Sequence, residues 1–237
     1  MKPHDQTAVL RQVPFFAELQ DDELDILLGA SRSVSYPKRS IVFYEGDPGD
    51  ALFILRTGSV KVVLQGERGQ EITLNELGPG SVLGEMALFD GAARSATAVT
   101  LEPTDFVQIR AEGVSALLET RPVLAREMLR YFVTLLREAN ETVRSLSMFD
   151  VHGRIVRCLM RLARQRSDGA DHIVAIEASR VEIEPRPSNQ RLADMIGSSR
   201  ETVSRALKLL DETGFVRIDG RKLVIERRAL RRYWSTG

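Results

Sequence analysis

The sequence predicts an α+β chain: an antiparallel β-roll of the jelly-roll kind, a long helix, and a second domain of short helices closed by a β-hairpin. Three features carry that expectation. Short β-rich runs separated by Gly-containing turns fill residues 33–110. An apolar spacing of 3, 4, 3, 4 and 3 residues then runs without Gly or Pro from Leu129 to Leu146. Beyond residue 150 the chain turns basic, and its final apolar runs flank an Asp-Gly turn. These features set domain boundaries at 1–120, 121–149 and 150–237.

Composition narrows the class. The 237 residues suffice for two domains with their own cores, and 43% hydrophobic with 28% charged is ordinary for a globular protein. No apolar run approaches the roughly 18 residues of a membrane span, and the N-terminus MKPHDQTAVLRQ lacks a signal-peptide core. A cytoplasmic chain without membrane contact is expected. The single Cys158 excludes an intrachain disulfide framework or a multi-cysteine metal site, and its neighbours Ile155, Val156, Leu159 and Met160 mark it as a small core residue. His4, His152 and His172 are scattered, so no metal is expected. No nucleophile–base pair stands out, so no enzymatic activity is expected either. Net charge is zero, yet residues 1–150 hold 15 Lys and Arg against 22 Asp and Glu, whereas residues 151–237 hold 18 against 11. An acidic first part and a basic second part call for different partners, an anionic polymer for the second.

In the first domain, Leu24, Ile26, Leu27 and Leu28 take helical spacing after Asp21-Asp22-Glu23, whose carboxylates suit a helix N-terminus. The runs SIVFYEG, ALFILRTGSVKVVLQ, EITLNEL, SVLGEMALF, SATAVTL and TDFVQIR come next, with turns at EGDPGD, RTGS, GERGQ, LGPGS and DGAA. Many short strands at even spacing predict an antiparallel barrel or jelly roll.

Within these runs, the stretch from Gly84-Glu85-Met86 to Arg94-Ser95 sets a guanidinium, a hydroxyl and backbone N–H groups around one tight loop. Arg94 could fork a phosphate, Ser95 could donate to it, and Glu85 could accept from a sugar hydroxyl. The alternative from the residues alone is a structural Arg–Glu pair. The stretch GEMALFDGAARSATA closely resembles the phosphate-binding cassette of cyclic-nucleotide-binding domains, and EGDPGDALFILRTGSVKV, with Gly46, Gly49 and Gly58, resembles their opening strands. The resemblance covers roughly residues 15–149. It implies that Gly84 and Glu85 hold a ribose while Arg94 and Ser95 hold a cyclic phosphate, with Met86 among the lining residues.

Leu129, Phe132, Leu136, Ala139, Val143 and Leu146 form an a/d seam on a helix of roughly 40 Å. Pro122 suits its first turn, where its missing N–H has no intrahelical partner. A seam so narrow predicts a parallel contact with a second copy of the chain; the alternative is a helix packed on its own domain. The family resemblance adds that this helix contacts the nucleotide base. Cyclic AMP receptor proteins carry adjacent Thr and Ser there, where this chain has Ala139 and Asn140, with Arg137 and Thr142 nearby.

Gly153 in the junction DVHGR reads as a hinge. The helix expected at 151–166 has Ile155, Leu159, Leu162 and Ala163 on one face. SDGAD reads as a turn, HIVAIE as a short strand, and the two prolines of RVEIEPRPS exclude a continuous helix. Ser188 then caps a short helix with Leu192, Met195 and Ile196 inward; Gly197 permits a sharp turn; and Ser198 or Ser199 caps a second helix with Val203, Ala206, Leu207 and Leu210 inward. Arg200, Glu201, Ser204, Arg205 and Lys208 are left pointing outward together, beside Thr202. This is a helix-turn-helix, and Arg and Glu are residue types that read guanine and cytosine in the major groove. Glu201 could instead close a capping box with Ser198, and Arg205 could belong to a solvated face. Asp219-Gly220 turns a hairpin whose Arg221 and Lys222 could reach phosphates, which makes the motif winged. The basic tail RRALRRYW could touch phosphate or pack on the domain.

GSSRETVSR resembles the recognition helix of cyclic AMP receptor proteins. With the roll and the long helix, about nine-tenths of the chain is identified as a member of the CRP/FNR superfamily of bacterial transcription regulators. The resemblance implies a homodimer on palindromic double-stranded DNA with TGTGA-like half-sites, switched by cAMP or another cyclic nucleotide or dinucleotide, with RNA polymerase as a partner. Two alternatives stay open: the same DNA-binding regulator with a vestigial pocket, active without nucleotide, and, from a different class, a cyclic-nucleotide-gated regulatory subunit.

Overall fold

The computed structural model describes residues 3–66, 71–166, 176–177 and 180–233. The chain divides into two compact units, residues 1–138 and 139–237, and the division falls inside one continuous helix.

The first unit opens with α1 (Pro3–Leu10) and α2 (Asp21–Gly29). The carboxylates of Asp21, Asp22 and Glu23 sit in the first turn of α2, and Glu23 Oε2 accepts the Gln20 N–H at 2.7 Å. The strands are β1 (Ser31–Tyr36), β2 (Ile41–Phe43), β3 (Ala51–Thr57), β4 (Val60–Gln65), β5 (Glu71–Leu77) and β6 (Val82–Leu83). A short helix α3 (Glu85–Asp90), strands β7 (Thr97–Thr100) and β8 (Thr104–Arg110), and helix α4 (Ala111–Thr120) complete the set. Two four-stranded antiparallel sheets result, ordered β1-β8-β3-β6 and β2-β7-β4-β5. Strand β3 is buried on both faces because successive side chains alternate. Phe53 and Leu55 pack with Phe106, Val60 and Ala98 between the sheets, whereas Leu52 and Ile54 pack with Phe16, Leu24, Leu27 and Leu117 beneath the helices.

The expected roll is present, with three differences. Strand β1 gives only a weak apolar signal, since in SRSVSY only Val34 and Tyr36 are apolar and both are half-buried; β8 holds it through the ladder and the Ser35–Asp105 and Arg32–Gln108 bonds. Of the run SVLGEMALF only Val82 and Leu83 are strand, since Gly84 at φ 78° turns the chain into α3. Helix α4 is additional, burying Val114 and Leu117.

Helix α5 (Pro122–Met148) is continuous. Its Leu124 and Met128 are buried, and Tyr131 and Phe132 are half-buried, against the core of the first unit. Arg121, just before it, ion-pairs with Glu23. Another face of α5 is bare: Leu129, Leu136 and Val143 are 65, 62 and 61% exposed.

The second unit comprises α6 (Val151–Arg166), β9 (Ile176–Glu177), β10 (Arg180–Ile183), α7 (Asn189–Ile196), α8 (Arg200–Glu212), β11 (Val216–Asp219), β12 (Lys222–Glu226) and α9 (Arg227–Tyr233). Its sheet runs β11-β12-β10-β9. Ile155, Leu159, Leu162 and Ala163 of α6 are buried with Leu192, Val203, Leu207 and Ile225, and Cys158 lies among them. Gly153 is corrected from hinge to packing residue. It lies inside α6, where a Cβ would stand 3.0 Å from both the Phe149 and Tyr233 rings. The helix break is at Phe149–Asp150, where Asp150 Oδ1 accepts the Gly153 N–H at 2.8 Å. The turn expected at 167–171, most of the strand expected at 172–177, most of the GERGQ turn and Trp234 lie outside the described residues.

Candidate functional site

In the first unit, Arg94 is the centre of the cassette. Its side chain turns inward and is only 5% exposed. Nη2 donates to the Ala51 carbonyl at 2.7 Å, Nη1 donates to the Gly84 carbonyl at 2.5 Å, and the guanidinium lies 4.5 Å from the Phe43 ring centre. Two glycines make the room. A Cβ on Gly84 would stand 2.3 Å from Nη1, and one on Gly49 would stand 3.1 Å from Cζ. The backbone locks the loop as well, because Arg94 N–H donates to the Asp47 carbonyl and the Gly46 N–H to the Arg94 carbonyl.

Glu85 is 7% exposed at the start of α3. Burial raises its pKa, against the lowering effects of a backbone hydrogen bond and Arg94. Burial lowers the pKa of Arg94, opposed by Asp50, Glu85 and Asp47. The two side chains therefore feel each other electrostatically, while the guanidinium bonds to carbonyls rather than to the Glu85 carboxylate. Tyr131 of α5 is close enough that Glu85, after burial, raises its pKa. Arg94 Nε is buried with no hydrogen-bond partner among the described residues. A buried cation with an orphaned donor fits an anionic oxygen, and Ser95, exposed beside it, offers a hydroxyl whose contact here is Met86 Sδ at 3.6 Å. These residues suit a small phosphate-bearing ligand. The structure thus brings Gly84, Glu85, Met86, Arg94 and Ser95 into one neighbourhood. Phe43, Gly49 and Ala51 belong with them; only Gly49 carried a signal in the sequence, as a turn glycine.

Of the expected seam on α5, Leu129, Leu136, Ala139, Val143 and Leu146 are exposed, and so is Asn140. Phe132 differs: it is half-buried, 5.4 Å from Phe89 edge to face. Val133, outside the seam, is 48% exposed.

In the second unit, Ser188 caps α7 by accepting the Arg191 N–H at 3.1 Å, and Gly197 turns the chain at φ 60°. Ser199, not Ser198, caps α8, accepting the Thr202 N–H at 3.2 Å with its hydroxyl 2.9 Å from that of Thr202. Position N3 is therefore Thr202, and the alternative capping box between Ser198 and Glu201 does not form. Arg200, Glu201, Ser204 and Arg205 are exposed, and their side chains have no hydrogen-bond or ion-pair partner among the described residues. Lys208 pairs with Glu212 at 3.8 Å. At the hairpin turn Arg221 is exposed, whereas Lys222 is held by Glu182 at 2.7 Å. The turn itself is anchored by Arg186, whose N–H donates to the Arg221 carbonyl at 2.7 Å and whose Nε donates to Gly220 at 3.2 Å. The tail packs through Ala229, Leu230 and Tyr233. A polar, basic helix N-terminus flanked by a hairpin with an exposed cation is suited to a duplex groove and its phosphates.

Among the described residues no group of three His, Cys, Asp or Glu could hold a metal ion, and no helix is long and apolar enough to cross a membrane.

Two family models match the chain, one in each part. Residues 33–121 match the family model of the cyclic nucleotide-binding domain, and residues 153–233 match that of the Crp-like helix-turn-helix domain. A cyclic AMP receptor protein of Thermus thermophilus is 35% identical over 205 residues, covering 86% of this chain and 88% of its own. A CRP-like cAMP-activated global transcriptional regulator of Mycobacterium tuberculosis is 28% identical over 217 residues, covering 92% and 94%. Among solved structures, the c-di-GMP responsive global regulator CLP of Xanthomonas campestris superposes with a TM-score of 0.71 at 26% identity, covering 87% of this chain and 99% of that one.

Proposed function

Since the chain belongs to the CRP/FNR family of transcription regulators, we propose that it acts as a homodimer that reads a palindrome of TGTGA-like half-sites and is switched by a cyclic nucleotide. The observation that carries the DNA half is the exposed quartet Arg200, Glu201, Ser204 and Arg205 on a helix capped by Ser199. Arg to guanine and Glu to cytosine give base contacts; Arg221, with Lys222 once it leaves Glu182, gives phosphate contacts. The bare stripe of Leu129, Leu136, Val143 and Leu146 supports pairing of two α5 helices. Dimerisation also suits the reading geometry, because two recognition helices about 34 Å apart meet successive major grooves. RNA polymerase is the protein partner, and no catalytic step is assigned.

A cyclic nucleotide would be held by Arg94 and Ser95 at its phosphate and by Glu85 at its ribose, with Asn140 offering a donor and an acceptor to the base. Its chemistry is that of an anion with a sugar and a base; what the chain supplies is a preset cation, a hydroxyl and a carboxylate. The ligand acts by binding one arrangement about the Phe149–Asp150 break more tightly than another. The relatives are named for cAMP and for c-di-GMP, and Ala139-Asn140 departs from the Thr-Ser pair of cyclic AMP receptor proteins.

A second reading keeps the DNA binding and drops the ligand. It is favoured by Arg94, whose two terminal nitrogens already donate to carbonyls of its own chain. Fluorescence anisotropy of a TGTGA-type palindrome against a scrambled duplex, at one fixed salt concentration, tests the DNA assignment. Equal affinity for the two would refute sequence reading by α8.

A further inference from the structure

The recognition helix α8 and the wing are separate elements, and the way they are joined has a consequence for DNA binding. Helix α8 ends at Thr213 and Gly214, the latter at φ 65°; Phe215 N–H reaches back to the Leu210 carbonyl at 2.8 Å. Two side chains then tie this end to the wing and to α9. Asp211, on the last turn of α8, accepts the Ile218 N–H of wing strand β11 through Oδ1 at 3.1 Å. Arg228, on α9 beyond the wing, donates from Nε to the Gly214 carbonyl at 2.5 Å and lies 5.3 Å from the Phe215 ring centre. Gly214 leaves it no slack, since a Cβ there would stand 1.7 Å from Arg228 Nη2. Beside the joint a cleft of about 410 Å³ opens, lined by Val216 and by the polar side chains of Asp211, Arg217, Glu226 and Arg228. Next to the buried Leu210 and Val216, the polar ties of Asp211 and Arg228 add to the join between helix and wing.

We propose that Asp211 and Arg228 are positioning residues for DNA binding, holding the wing at the angle at which Arg221 meets a phosphate while α8 occupies the groove. Neither residue touches DNA in this scheme. Arg228 lies two residues beyond the end of β12 that is remote from the Arg221 turn, and Asp211 is acidic. The proposal rests on the reading of Arg221 as a phosphate contact.

The salt dependence of operator binding separates this role from a purely structural one, because the slope of log K against log salt counts phosphates and is indifferent to modest loss of fold stability. In the full-length protein on a TGTGA-type duplex, Arg221→Ala is expected to lower the slope by about 0.9 per protomer. Asp211→Ala and Arg228→Ala should each lower it by a similar amount, with little added when either is combined with Arg221→Ala. The ratio of specific to scrambled binding should hold within about twofold. Asp211→Ala is the decisive variant, for removal of an anion near DNA would by charge alone strengthen binding. An unchanged slope or tighter binding in Asp211→Ala overturns the proposal. So does an Arg228→Ala loss that adds fully to that of Arg221→Ala, which would make Arg228 a phosphate contact itself. If Arg228→Ala does not fold, Asp211→Ala decides alone. An unchanged slope in Arg221→Ala would instead overturn the wing contact on which the proposal stands.

Discussion

Gly84 and Arg94 share one space: the Gly84 carbonyl accepts from Arg94 Nη1, and a methyl group on Gly84 would stand 2.3 Å from that nitrogen. Gly84 also holds φ 78°, a left-handed conformation that side chains disfavour. Gly84→Ala should therefore cost about 1–3 kcal/mol of stability and displace the guanidinium. Calorimetry with and without cAMP or c-di-GMP checks this: a lower melting temperature and loss of any stabilisation by nucleotide are expected.

Arg94→Ala removes the cation and also strips hydrogen bonds from the Gly84 and Ala51 carbonyls. The buried Ala51 carbonyl left bare costs about 1–3 kcal/mol, and the half-buried Gly84 carbonyl less. The variant should lose nucleotide binding in isothermal titration and melt at lower temperature without ligand. Retained binding would remove Arg94 from the ligand site.

Glu85 gives a pH signature. Burial raises its folded pKa above the unfolded value, so its stabilising contribution is full below the unfolded pKa of about 4.3 and is lost as pH rises through the folded pKa. Glu85→Gln should raise the melting temperature of nucleotide-free protein at pH 7–8, and this gain should vanish near pH 4. The same variant should weaken nucleotide binding if the carboxylate accepts from a ribose hydroxyl. Thermal melts across that pH range decide the first part and titration the second.

The proposed dimer seam is tested at Leu136, 62% exposed in the middle of α5. Aspartate there should leave the fold of each unit unchanged and convert the dimer to 26.5 kDa monomers in light scattering. An unchanged dimer mass would place the interface elsewhere.

On α8, Arg200→Ala or Arg205→Ala should cost about 1–3 kcal/mol per lost bidentate base contact and relax preference at one position. Equal loss on specific and scrambled duplexes would make that arginine a phosphate contact.

What could be read in advance was local. GSSRETVSR contains its own turn, cap and inward face, so the helix-turn-helix needed no distant partner to be recognised. The spacing along α5 was legible too, and five of its six positions are exposed, while Phe132 packs against Phe89. What escaped depends on residues far away in sequence. Strand β1 is mostly polar and owes its place to β8, with Arg32 bonded across 76 residues to Gln108. The inward turn of Arg94 depends on the Ala51 carbonyl 43 residues earlier. Nothing near Lys222 in the sequence signals Glu182, which pairs with it across the β10–β12 pair. Gly153 was legible as a glycine that matters, but whether it bends or packs was decided by Tyr233, eighty residues away.

The most direct measurement of the central claim is the affinity of a labelled TGTGA-type palindrome for the full chain at fixed salt, alone and with saturating cAMP, cGMP or c-di-GMP. One of these nucleotides is expected to tighten or weaken binding by a factor within the usual allosteric range of about 5–150, and Arg94→Ala to abolish the change. Identical affinity under all four conditions would contradict the switch and leave the chain a DNA-binding regulator whose pocket around Arg94 no longer controls it.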